Sequence, residues 1–92
     1  MSEVTLVGYI IVPDNELETM LAELPNHIQL SRQEEGCILF KVNQSPDNKQ
    51  RFDVMEIFTD RNSFEKHQER VQSSYWGQVT RNITRHYQII EE

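Results

Sequence analysis

An α+β fold in the order strand, helix, strand, strand, helix, strand is what this sequence predicts, and three observations carry that prediction. The first is a nearly unbroken apolar run from Val4 to Val12, rich in β-branched residues, which fits a strand buried on both faces. The second is a stripe of Leu17, Met20, Leu21 and Leu24 at spacing i, i+3, i+4, i+7, the signature of an amphipathic helix. The third is a period of two that groups Phe52, Val54, Glu56 and Phe58, followed by a helical repeat that groups Phe64, His67 and Val71.

The elements follow in order. Pro13 stops the first strand, and Asn15 followed three residues later by Glu18 matches a capping box at the start of a helix. Pro25 removes a backbone donor, so a kink or break is expected there, with a second short helical piece from Asn26 to Arg32 that carries Ile28 and leaves His27 exposed. Gly36 releases the chain into a second strand, Cys37 to Asn43, in which Ile38, Phe40 and Val42 share a face. The turn-rich stretch Gln44 to Gln50 makes a hairpin with a third strand, Arg51 to Thr59. Asp60 or Asn62 caps the next helix, which runs to Gln72; Ser73 and Ser74 loosen it, and Tyr75 to Val79 forms a further short turn or helix. Ile83 to Ile90 closes the chain as a fourth strand. This is the split βαβ, ferredoxin-like arrangement: an antiparallel sheet with both helical segments on one face, in one domain over residues 1–92.

Composition narrows the partners. A net charge of −6 and a pI near 5.0 repel nucleic acid and anionic lipid surfaces. No apolar run approaches the roughly 20 residues of a membrane span, and the start lacks a signal peptide's basic and apolar parts, so a cytoplasmic protein is expected. The single cysteine, Cys37, excludes an internal disulfide and is expected as a small core residue; no His/Cys spacing suggests a metal site. Both faces of the first strand are apolar, and Met55 and Ile57 lie opposite Glu56, whereas the helices cover one side only. A homodimer in which two sheets face each other is therefore expected, with Arg51, Asp53 and His86 near the interface.

His67 places an imidazole on the core side of its helix, and Glu56 places a carboxylate on the core side of its strand. Three residues back along a strand is about 10 Å, and six residues up a helix is about 9 Å. The two side chains are thus expected at similar height, where Glu56 would fix the imidazole tautomer and raise its basicity. A buried structural Glu–His pair is the alternative from the residues alone.

The stretch Ser31 to Phe40, with Arg51 to Phe58 and then Asp60 to Gln68, resembles the antibiotic biosynthesis monooxygenase family. The shared signature is a Ser-Arg-x-Glu-x-Gly-Cys run entering the second strand, a Glu-x-aromatic run leaving the third, and a histidine inside the following helix. The resemblance implies a dimeric α+β barrel of two ferredoxin-like protomers, each with a pocket between helices and sheet. Relatives of this fold include cofactor-independent quinol monooxygenases, haem-degrading enzymes, isomerases and proteins of no assigned reaction. Haem breakdown is disfavoured, because the first strand contains no Asn and Phe58 stands near the position of the expected Trp.

Together these imply a monooxygenase that uses no cofactor and no metal and acts on a small quinol- or polyphenol-like aromatic. His67 would be the general base, and Glu56, Phe58, Phe64, Tyr75 and Trp76 would contact substrate, with Phe52 a further candidate wall. The alternative is a non-catalytic small-ligand-binding or stress-related dimeric module of the same fold.

Overall fold

The computed structural model describes residues 2–91, and at its centre is the apolar run of the first strand, β1 (Val4–Ile11). Its alternate residues Val4, Leu6 and Ile10 are buried at 4% exposure or less, under the helices. Helix α1 spans Asp14–Arg32, followed by β2 (Cys37–Gln44), β3 (Arg51–Phe58), α2 (Arg61–Gln72), the short α3 (Tyr75–Val79) and β4 (Thr84–Glu91). The antiparallel sheet has the order β2-β3-β1-β4, so the expected α+β, ferredoxin-like topology is present.

Three local expectations are corrected. The first helix opens at Asp14 behind Pro13, with no side-chain cap bond, rather than through an Asn15 capping box. It also runs unbroken through Pro25. Leu21, whose carbonyl loses its partner at Pro25, and Pro25 itself are both exposed, so the missing bond falls away from the core. On the core side Met20, Leu24, His27 and Ser31 continue one buried stripe, and that burial outweighs the proline penalty. His27 is consequently buried, not exposed. Third, a bulge between Cys37 and Leu39 shifts the β2 register, leaving Ile38 51% exposed instead of facing inward beside Phe40.

The second helix is capped by Asp60, whose carboxylate accepts from the Ser63 backbone N–H at 2.8 Å; this bond holds the Asp60 carboxyl below its ordinary pKa. Gly8 sits where the β4 backbone crowds β1: a Cβ there would lie 2.0 Å from the His86 carbonyl oxygen, and its φ is +155°. Between helices and sheet the core gathers Met20, Phe52, Phe58, Phe64 and Trp76 with the inward residues of β1. Among the described residues no helix lies over the opposite face of the sheet. There Met55 is 38% and Ile90 41% exposed, Arg51 pairs with Asp53 of the same strand at 3.0 Å and lies over the Tyr9 ring, and His86 stacks on Tyr9. Among the described residues no helix is long and apolar enough to cross a membrane.

Candidate functional site

The inward residues of β3 and α2 meet where the sequence arithmetic placed them. Glu56 and His67 are 6% and 3% exposed, and His67 Nε2 lies 3.6 Å from Glu56 Oε1. That separation is too long for a hydrogen bond, and Glu56 Oε1 has no partner among the described residues. The group that holds the imidazole is a different carboxylate. Glu34, in the turn between α1 and β2, places Oε1 2.6 Å from His67 Nδ1, while its Oε2 accepts from Arg70 Nε at 2.6 Å. Arg70 in turn donates to Ser31 Oγ at 3.0 Å.

This chain of contacts fixes the chemistry of His67. A carboxylate beside Nδ1 requires the proton there, so Nε2 presents its lone pair toward Glu56. Burial lowers the His67 pKa; the hydrogen bond and charge of Glu34 oppose that shift, and Arg70 adds to it. The ring is thus neutral at neutral pH. Burial, reinforced by the charge of Glu34, pushes Glu56 up to about 7, so its carboxyl is half protonated at neutral pH. An oxygen about 2.8 Å from both Nε2 and Oε1 closes a triangle on the 3.6 Å gap. A substrate hydroxyl placed there reaches both groups.

The gap opens into a cavity of about 350 Å³ between α2, α3 and the sheet, a size suited to a small ring compound. Phe64 and Trp76 line it, together with His27, which stacks on Trp76 with ring centroids 4.2 Å apart. Burial, then the neighbouring His67 and Arg70, lower His27 to about 3, so it stays neutral. Phe58 and Phe52 are fully buried and do not line the cavity. Phe58 instead packs against the His67 ring at 5.0 Å, and Phe40 does so edge-on at 5.5 Å, holding the imidazole between two aromatic walls. Tyr75 is 57% exposed and also lies outside the lining. The other wall comes from β4, through Arg85, Tyr87 and Ile89. His67 additionally lines a second, open cleft with Glu34, Glu35 and Asp60.

The sequence profile of the antibiotic biosynthesis monooxygenase family matches residues 3–77, which include Glu34, Glu56 and His67. The chain belongs to that family. Solved structures share the fold of this family member at low identity. A Pseudomonas aeruginosa protein superposes with a TM-score of 0.79 at 21% identity, covering 100% of this chain and 93% of that one. A Nitrosomonas europaea protein assigned as an antibiotic biosynthesis monooxygenase gives 0.78 at 22%, covering 99% and 88%. A Bacteroides thetaiotaomicron protein of unknown function, described as a possible oxidoreductase, gives 0.78 at 18%, covering 99% and 98%. Among curated proteins, none matches.

Arg70 was not singled out from the sequence, His27 was read there as exposed, and Glu34 entered only as the Glu of the Ser-Arg-x-Glu-x-Gly-Cys run, with no role given. Arg70 and His27 carry a periodic signal there. Arg70 is one helical turn beyond His67 on the same face, and His27 continues the Met20–Leu24 stripe once the helix is carried through Pro25. Glu34 lies in a turn, where no periodicity exists to show which way its side chain faces.

Proposed function

We propose that this family member is a cofactor-independent monooxygenase for a small quinol- or polyphenol-like aromatic, with His67 as general base. The observation that supports this most is the buried, neutral imidazole whose Nδ1 is tied to Glu34 and whose Nε2 faces a cavity opposite an unpartnered carboxyl. A substrate hydroxyl between Glu56 and His67 gives its proton to Nε2. The imidazolium formed is stabilised by Glu34 through Nδ1–H. Glu34 is part-exposed toward the open cleft, which offers the proton a way to solvent on the side away from the substrate.

The ring anion is electron-rich enough to react with dioxygen without a protein-bound redox group. A simple quinol and one dioxygen yield the hydroxyquinone and one water. One oxygen atom enters the ring as the new hydroxyl, the other leaves as water with two hydrogens from the quinol, and the substrate supplies all four electrons. The protein's remaining part is to hold the ring against Trp76 and Phe64 and to keep water from the anion. An oxygen-uptake screen over hydroquinones and polyphenols should find substrates consumed at one dioxygen per molecule. Aromatic binding that raises Tm without oxygen uptake would instead favour the non-catalytic ligand-binding module.

The working unit is proposed to be a homodimer joined through the uncovered sheet face. Met55 and Ile90 there are exposed, and Val7, Ile11 and Ile57 are half-buried with no helix above them. Sedimentation at micromolar concentration should give twice the chain mass. A stable monomer under those conditions would remove this assignment.

A further inference from the structure

The two ends of the cavity differ in charge. At one end Glu56 offers its unpartnered oxygen beside His67. At the other, Arg85 of β4 lines the same cavity, lies beside the Tyr87 phenol and meets neutral acceptors, donating to the Ile83 carbonyl at 3.2 Å and to Thr80 Oγ1 at 3.0 Å. Ion pairs among the described residues take up Lys49, Arg51, Arg61 and Arg70 but not Arg85. Thr80 is itself 1% exposed and bonded to the Trp76 carbonyl at 2.7 Å, so the guanidinium is anchored at the cavity wall, with donors to spare. Arg85 also lies beyond residues 3–77, outside the part matched by the family.

Strand register gives the spacing. Glu56 pairs with Leu6, and Arg85 with Ile10, so their positions differ by four residues along β1 and two strands across. That is about 13 Å by about 10 Å, or a Cα separation of about 16 Å. A substituted ring with a hydrogen bond at each end spans about 12 Å, a length that fits within that separation. Between them stands Tyr87, 39% exposed as a whole; desolvation of its phenol end and the Glu56 charge push it up to about 12 against the lowering effect of Arg85, so it remains a donor.

We propose that the substrate is an anionic phenol, with its reacting hydroxyl between Glu56 and His67 and a carboxylate paired with the Arg85 guanidinium. This rests on the His67 general-base reading for which hydroxyl reacts, but the charge selectivity does not depend on turnover. A planar carboxylate suits the guanidinium because two parallel N–H donors can meet its two oxygens.

The test is calorimetric titration of the full chain under nitrogen with 3,4-dihydroxybenzoate and with 3,4-dihydroxybenzamide, which differ in charge but little in shape. The acid should bind about tenfold more tightly or better, and added salt should narrow the gap. Arg85→Gln should abolish it and Arg85→Lys should keep part of it. Equal binding of the two compounds, a gap that survives in Arg85→Gln, or no binding of either overturns the proposal. Because oxygen is excluded, acid preference without later oxygen uptake would remove the monooxygenase reading alone, and oxygen uptake without acid preference would remove this one alone.

Discussion

Replacing His67 by alanine is expected to lower turnover by roughly 10²- to 10⁴-fold, the range for losing a positioned general base. Among the cavity-lining residues, two other groups have basic sites, and both are poorly suited. His27 is neutral but lies on the Trp76 side, and Glu56 is partly protonated at neutral pH. Oxygen uptake measured on a folded variant, with circular dichroism as the control, decides the matter; a rate near that of the native chain would end the assignment. Glu34 acts through His67, so its role is tested by a pH profile. Activity needs unprotonated His67, and Glu34 raises the His67 pKa against the effect of burial. In Glu34→Gln the acid limb of the rate profile should therefore move to lower pH, while the amide, able to donate or accept at Nδ1, no longer enforces the tautomer and kcat falls. Glu34→Asp should restore part of both. A merely structural Glu34 would change stability and leave the position of the acid limb where it was.

The first and third strands and the His67 helix were legible because each buries one regular face: Phe52, Val54, Glu56 and Phe58 alternate, and Phe64 and His67 repeat helically. The spacing of Glu56 and His67 was legible for the same reason, since regular elements have fixed rise per residue. What periodicity could not show is which carboxylate bonds the imidazole. Glu34 wins because the turn after α1 carries it back over α2, where Arg70 holds it and is itself held by Ser31. At Pro25 a local rule misled, because the proline falls off the core side of a helix whose buried stripe continues to Ser31. The contribution of β4 was hidden by its composition: every residue of Thr84–Glu91 is exposed, and nothing in the alternation of Arg85, Tyr87 and Ile89 with their neighbours marks the cavity side. Register against β1, not pattern, assigns that face.

Acid should unfold the protein steeply only below about pH 4.5, because two buried groups oppose each other above that point. Unfolded His27 takes up a proton near 6.5, whereas the folded residue resists it until about 3, so stability falls as pH drops between those values. At 1.36 kcal/mol per pKa unit the whole loss is about 5 kcal/mol. His67, also lowered, adds to the same slope. Glu56 works in the opposite direction. Its folded pKa of about 7 lies above the ordinary 4.5, so its contribution is fully present below 4.5 and is lost as pH rises through 7, for a total of about 3 kcal/mol. Between 4.5 and 6.5 the gain from Glu56 on acidification offsets the loss from His27, and the smaller His67 loss leaves only a shallow slope. Below 4.5 only the histidine loss continues. Urea unfolding across about pH 3 to 8 should show that shallow stretch and drop. His27→Phe, which keeps a ring against Trp76 but cannot titrate, should flatten the acid side. Glu56→Gln should remove the shallow stretch, giving stability that climbs steadily from about pH 3 to 6.5. Comparing slopes rather than midpoints cancels any constant packing penalty of either variant. An acid slope in His27→Phe equal to that of the native chain would show that burial of this imidazole is not what sets acid lability.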